Sequence, residues 1–136
     1  MVTDRRLALA LQHFEQALTR LLEVAALPET DIVRDSLIKR FEFSFEAGWK
    51  AAYRWLRARG VDVDEGAFEV LPEAYKRRLI TDAAGWGEMR KHRNRTAHTY
   101  DEAVAIAVAG FARSTAAPLL AELLQVLKER ADERSL

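Results

Sequence analysis

The sequence predicts an all-α, up-and-down bundle of four main helices plus a short helix, on three observations. Apolar residues recur at intervals of three and four along nearly the whole chain, the period of an α-helix, and no stretch sustains the two-residue alternation of a strand. Only 3 prolines and 6 glycines interrupt 136 residues, so helices can run long. Capping residues stand where the periodic stretches start, and glycine or proline where they stop. The length suits a single domain over residues 1–136, and 49% hydrophobic residues supply its core.

Thr3 or Asp4 can cap a first helix whose apolar face is Leu7, Leu11, Phe14, Leu18, Leu21 and Leu22. Leu27-Pro28-Glu29 ends it. Thr30 or Asp31 caps a second helix, unbroken to Arg59 and stopped at Gly60. At 1.5 Å per residue it is about 43 Å long. Its core stripe is Ile38, Phe41, Phe45, Trp49, Ala52 and Leu56. Val61 to Leu71, with Asp62, Asp64, Glu65 and Gly66, reads as a loop. A short helix follows from Pro72 to Leu79, with the proline in its first turn, where no N–H is needed. Asp82 opens a fourth helix, and Gly85 and Gly87 weaken its start by about 1 kcal/mol each relative to alanine. Thr99-Tyr100-Asp101-Glu102 has the Thr-x-x-Glu form of a capping box, so this helix should end near His98 and the last begin at once. The last helix carries Val104, Val108, Phe111, Leu120, Leu123, Leu124 and Leu127; Pro118 inside it should kink or break it near Thr115.

Composition excludes several functions. With no cysteine there is no disulfide scaffold, no thiolate zinc site and no thiol nucleophile. Lys+Arg and Asp+Glu both number 21, so a surface that coats nucleic acid on all sides is excluded while a local patch is not. No apolar run reaches the roughly 20 residues of a membrane helix, and His13 and Glu15 interrupt the first apolar stretch before it could form a signal-peptide core. A cytoplasmic protein without membrane contact is expected. Gly-rich phosphate loops, His-Glu-x-x-His and Gly-x-Ser-x-Gly are absent. His13, His92 and His98 are too scattered for a metal site, so neither metal nor cofactor is expected.

Charge is unevenly spread. From Glu73 to His98 stand Lys76, Arg77, Arg78, Arg90, Lys91, Arg93 and Arg95 against Glu73, Asp82 and Glu88, an excess of four that the rest of the chain must balance. Such a patch can hold a phosphodiester backbone, or be a solvated helix face. Within it, Trp86, Met89, Arg93 and Ala97 share one helix face, so Arg93 continues an apolar stripe and needs a partner or a ligand. Asn94 and His98, four apart, stack on an adjacent face. His98 lies at a helix C-terminus, where the carbonyl dipoles attract a cation. Arg93, Asn94, His98 and the Tyr100 hydroxyl therefore converge at one helix junction, able to bind phosphate and move a proton without metal. Glu42 and Glu46, one turn apart on the second helix, either position Arg93 or form surface ion pairs, Glu46 with Lys50.

Arg93-x4-His98-x-Tyr100 resembles the active motif of the HEPN superfamily (higher eukaryotes and prokaryotes nucleotide-binding). The string from Arg93 to Glu102, together with Arg40-Phe41-Glu42-Phe43-Ser44-Phe45-Glu46-Ala47-Gly48-Trp49-Lys50, is similar to its branch of nucleotidyltransferase substrate-binding proteins. Arg95 stands where that branch leads one to expect an apolar residue, and Gly85-Trp86-Gly87 is richer in glycine than expected. The resemblance implies a homodimer encoded beside a minimal nucleotidyltransferase, the pair forming a toxin–antitoxin module in which the HEPN partner is a metal-independent ribonuclease acting on RNA. It implies Arg93 and His98 as catalytic and Tyr100 as acceptor of AMP from the nucleotidyltransferase; Asn94, Arg95, Glu42 and Glu46 are read from their placement around that motif as binding or orienting residues. An alternative for the same branch is a non-catalytic subunit that presents nucleotide or another substrate to the nucleotidyltransferase. The residues add one argument for the homodimer: Phe41, Phe43, Phe45, Trp49, Tyr53 and Trp55 spread over more of the long helix than one core stripe uses, so Phe43 and Tyr53 must be covered by a partner subunit or by loops of the same chain.

Overall fold

The computed structural model describes residues 4–134, with side chains through 131. The helices are α1 (Arg5–Ala25), α2 (Asp31–Ala58), α3 (Ala67–Lys76), α4 (Ala83–Arg95), α5 (Glu102–Phe111) and α6 (Ala117–Arg134). A 3-10 turn, Thr96–His98, ends α4, and a π turn, Ala112–Ala116, joins α5 to α6 into one long run. The fold is the expected all-α bundle, with α3 as its short helix and no strand among the described residues.

Asp4 caps α1, accepting from the Leu7 N–H at 3.0 Å, and Thr30 caps α2, accepting from the Val33 N–H at 3.1 Å. Gly60 at φ 80° ends α2; the Val61 N–H returns to the Leu56 carbonyl at 3.0 Å, the 6→1 bond of a Schellman motif. Every other helix packs against α2. Ile38, Phe41, Phe45, Trp49, Ala52 and Leu56 are buried on it as the periodicity predicts, and so are Leu37, Ser44, Gly48, Ala51 and Trp55. At Gly48 an added Cβ would lie 3.2 Å from Phe14 and from Leu120, so the missing side chain lets α1 and α6 close on α2 at the same level. Of the six aromatics on α2, Phe41, Phe45, Trp49 and Trp55 are buried within the chain itself; Tyr53 is half-buried and Phe43 is exposed. The chain thus absorbs most of the aromatic surplus that pointed to a second subunit.

Three boundaries differ from expectation. First, α3 starts at Ala67, not Pro72, and part of the expected loop is helix. Val70 and Ala74, four apart, bury against the core, and that burial outweighs the one bond that Pro72 removes. The helix ends in a second Schellman motif, with Arg78 at φ 60° in the position glycine usually takes and Leu79 N–H bonded to the Ala74 carbonyl at 2.9 Å. Arg130 of α6 offsets that strain by donating to the Arg77 and Arg78 carbonyls at 2.6 and 2.9 Å. Second, Asp101 rather than Thr99 caps α5, accepting from the Ala103 and Val104 N–H groups at 2.9 and 3.4 Å, while Thr99 Oγ1 turns back to the Thr96 carbonyl at 3.5 Å. A carboxylate suits a helix N-terminus better than a hydroxyl because it also meets the dipole. Third, Pro118 does not break the last helix. The turn before it widens, with Ala117 N–H bonding five residues back to the Ala112 carbonyl, which makes room for the proline ring.

By length and composition the run Glu102–Ala131 could cross a bilayer. Its residues Ala105, Val108, Ala109, Ala112, Ala116, Leu120, Leu123 and Leu127 instead fill the core of the bundle.

His92 is buried on α4, stacked on Phe111 with ring centroids 4.2 Å apart, and its Nδ1 has no hydrogen-bond partner among the described residues. Burial, and secondarily the charge of Arg95, push its pKa below the ordinary 6.5, although Glu88 pulls the other way. The folded state therefore holds this ring neutral while the unfolded chain protonates it. The stability it contributes is present above about pH 6.5 and is lost as pH falls below that value. Urea midpoints measured from pH 7.5 to 5 should fall more steeply for the wild type than for His92→Phe; equal slopes would refute this.

Candidate functional site

Arg93 stands on the last turn of α4 and reaches across to α2. Its Nε donates to Glu46 Oε1 at 3.0 Å, and its Nη1 donates to Thr96 Oγ1 at 3.1 Å. The Thr96 hydroxyl donates to the Arg93 carbonyl at 2.7 Å. The other oxygen of Glu46 accepts from Trp49 Nε1 at 3.0 Å. A buried indole thus fixes the carboxylate, the carboxylate fixes the guanidinium, and Nη2 is left without a partner among the described residues. Arg93 and Glu46 are 30% and 34% exposed, so solvent screens the pair and its net stabilisation is about 1 kcal/mol. Its larger effect is geometric, since a planar guanidinium held at two nitrogens has one orientation.

Arg93, Thr96 and Tyr100 form one wall of an open cavity of about 560 Å³; Asp35, Lys39 and Glu42 of α2 form the other. Glu42 pairs with Lys39 at 3.6 Å and not with Arg93, so of the two glutamates only Glu46 positions the arginine. No Glu46–Lys50 pair forms among the described residues. Tyr100 is 85% exposed at the mouth of the cavity. Its hydroxyl lies 3.2 Å from His98 Nδ1, with the two rings edge to face. The imidazole tautomer sets which of the two donates. His98 itself does not line the cavity and meets it only through Tyr100.

Asn94 and Arg95 are exposed, and their side chains make no hydrogen bond or ion pair with the described residues. The four-residue spacing of Asn94 and His98 is not one α-helical turn, because the chain tightens into the 3-10 turn before His98 is reached. Four of the seven cations of the linear basic patch are ion-paired, while Arg78, Arg90 and Arg95 have no ion-pair partner among the described residues. Lys76 and Arg77 pair with Glu73, Lys91 with Glu88 and Arg93 with Glu46, while Arg90 lies over the Phe68 ring. Thr96 and Trp49 are the two site residues that sequence reasoning missed. Both stand three residues beyond a residue it did choose, Arg93 and Glu46, at a spacing that faces side chains on a helix. No cluster of three His, Cys, Asp or Glu that could hold a metal ion occurs among the described residues.

The family model described as "Nucleotidyltransferase substrate binding protein like" matches residues 6–129. The chain belongs to that family, within the HEPN superfamily. A relative from Haemophilus influenzae, "Probable ribonuclease HepT", is 38% identical over 88 residues, 59% of this chain and 60% of the relative. The match thus leaves about two-fifths of that relative's length unaligned. A crystal structure of a Thermus thermophilus protein superposes with a TM-score of 0.71 at 34% identity, covering 87% of this chain and 98% of that one. The HEPN match takes in α1 to α5 and most of α6, so it contains both the Arg93–Glu46 pair and the His98–Tyr100 contact.

In a double-mutant cycle read by urea unfolding, Glu46→Ala and Arg93→Ala should show a coupling of about 1 kcal/mol, the worth of a partly solvated, charge-assisted bond. Additive effects would mean that the pair does not hold together in solution.

Proposed function

We propose that this HEPN chain is a metal-independent endoribonuclease, working as a homodimer and as the toxin partner of a minimal nucleotidyltransferase. One observation carries the reading. A guanidinium fixed by Glu46 and Thr96 lines an open cavity whose mouth holds Tyr100, hydrogen-bonded in turn to His98 just outside it. Arg93 Nη2 would donate to a non-bridging oxygen of the scissile phosphate and to the charge that grows there in the pentacovalent transition state. His98 Nε2 would take the ribose 2′-hydroxyl proton. The 2′-oxygen then bonds to phosphorus, the bond to the 5′-oxygen breaks, and that oxygen leaves with a proton from a general acid. A cyclic phosphate remains, and DNA, lacking the 2′-hydroxyl, is not cut. In a dimer whose two motifs face each other, one His98 serves as base and its copy as acid.

That His98 lies outside the Arg93 cavity in a single chain favours a second reading, a non-catalytic subunit whose cavity holds a nucleotide phosphate for the nucleotidyltransferase. Incubation of metal-free protein with RNA separates the two. The ribonuclease should cut RNA in EDTA and leave DNA intact. His98→Ala should lose 10²–10⁴-fold in rate, and Arg93→Lys should recover only part of what Arg93→Ala loses, because an ammonium lacks the planar fork that holds Glu46 and Thr96 while a third nitrogen faces the phosphate. Cleavage by folded His98→Ala at the wild-type rate, or loss of cleavage in EDTA, would overturn the proposal.

Control would act at Tyr100. Its exposed hydroxyl can attack the α-phosphorus of ATP held by the nucleotidyltransferase: an aryl O–P bond forms, pyrophosphate leaves, and the phenolic proton has His98 Nδ1 3.2 Å away to receive it. The attached AMP would bring a negative phosphate and a base into the mouth of the cavity and repel an incoming strand. Mass spectrometry after incubation with the partner, ATP and Mg²⁺ should find an AMP adduct on the Tyr100 peptide and none on Tyr100→Phe. Suppression of activity without any adduct would show control by masking instead.

A further inference from the structure

A second group of cations, most of them without a carboxylate partner, gathers away from the basic segment that the sequence displays. Two cavities of about 420 and 460 Å³ run along the α1–α2 face and share His13 and Phe43, so they form one groove. Six cations line it, Arg6, Arg20, Lys39, Arg40, Lys50 and Arg54, against two carboxylates, Glu46 and Glu65. Glu46 is already neutralised by Arg93, and of the six cations only Lys39 has an ion-pair partner among the described residues. Arg40 donates to the Arg20 carbonyl, a neutral acceptor, while Lys50 and Arg54 lie over the Trp49 and Tyr53 rings. In a chain of zero net charge this is a concentrated positive field.

Phe43 sits at the middle of the groove, 57% exposed, with Lys39 Nζ 5.5 Å from its ring centre. Lys39 also lines the Arg93 cavity, so the groove opens into the candidate site. From Lys39 to Arg54 the groove runs about 22 Å along α2 at 1.5 Å per residue. Separated cations with one exposed aromatic face between them match a single-stranded nucleic acid, whose phosphates track the charges and whose base stacks on the ring. A second copy fits less well, since a two-fold contact would set these cations against themselves.

We propose that the α1–α2 groove is a single-stranded RNA track that delivers the strand past Phe43 into the Arg93 cavity. The identity of the strand rests on the ribonuclease reading; the track itself does not require cleavage. The test uses His98→Ala protein and a fluorescein-labelled 12-nucleotide oligouridine, with binding followed by anisotropy across a salt series. Adding Phe43→Ala should weaken binding on the order of tenfold through the lost stacking. Adding Arg20→Ala with Lys50→Ala, one change near each end, should weaken binding and make the log K against log salt slope shallower by about 1.4, the release expected of two phosphate contacts on a single strand. Circular dichroism checks that each variant is folded, and light scattering its assembly state.

Unchanged affinity and slope in both sets would overturn the track. A change of assembly state in the Phe43 variant would also overturn it and assign the face to contact between copies. Track-dependent binding by a wild type that cuts no RNA would support the track and overturn the ribonuclease reading. Normal binding by the track variants, with normal cleavage when the same changes are made in the wild type, would do the reverse, and absence of any RNA binding would overturn both.

Discussion

Everything in this bundle is arranged around the burial of α2. All five other helices pack on it, and the close approach at Gly48, where Phe14 and Leu120 come within reach of a single missing Cβ, holds α1 and α6 to it at one level. Lys39, Phe43, Glu46, Lys50 and Arg54, spaced by three and four, form one strip on the unburied side of α2, and the candidate chemistry collects beside it. Glu46 faces both ways. One carboxylate oxygen is tied to the core through Trp49 and the other to Arg93, so the packing of the bundle is transmitted to the orientation of a guanidinium at its surface.

Much of this was legible in the sequence. The long second helix, its caps and its stop at Gly60 follow from local chemistry, and local chemistry decided them. Arg93, interrupting an apolar stripe, announced its need for a partner, and Glu46 was one of two candidates at the right level of α2. The choice between Glu46 and Glu42 was not legible, because it turns on Trp49 reaching back three residues to hold one of them. α3 was misread for a related reason. Pro72 suggests a helix start, but the start is set by Val70 and Ala74 finding the core, a tertiary event. At the junction before α5, Thr99 and Asp101 both had the chemistry to cap, and the 3-10 turn upstream settled which of them faces the free N–H groups.

The charge distribution shows most plainly what a linear reading misses. Counted along the chain, the excess of positive charge lies between Glu73 and His98. Folded, three of its seven cations pair with carboxylates of the same segment at three and four residues, while cations scattered among carboxylates on α1 and α2 turn to a common side and leave most of their acidic neighbours on other faces. The same helical period that builds the core thus sorts the charges, and local density in sequence is a poor guide to local field in space.

The π turn at Ala112–Ala116 sets the rotational phase of the last helix. It spends one more residue on a turn than an α-helix does, and Ala105 and Val108 before it and Leu123 and Leu127 after it all point into the same core. Two arginines depend on the same phase. Arg113, inside the wide turn, bonds the Ala25 and Leu27 carbonyls at the end of α1, and Arg130, further along, bonds the carbonyls that end α3. Loss of a single residue from this stretch would close the wide turn into a regular helix and leave everything beyond it in nearly its present phase, whereas gain of a second residue would swing it by about 100°, turning leucines outward and carrying Arg130 off its acceptors. Changes of length here are therefore not equivalent insults: the segment already holds one residue more than a regular helix needs, so it tolerates a deletion better than an insertion.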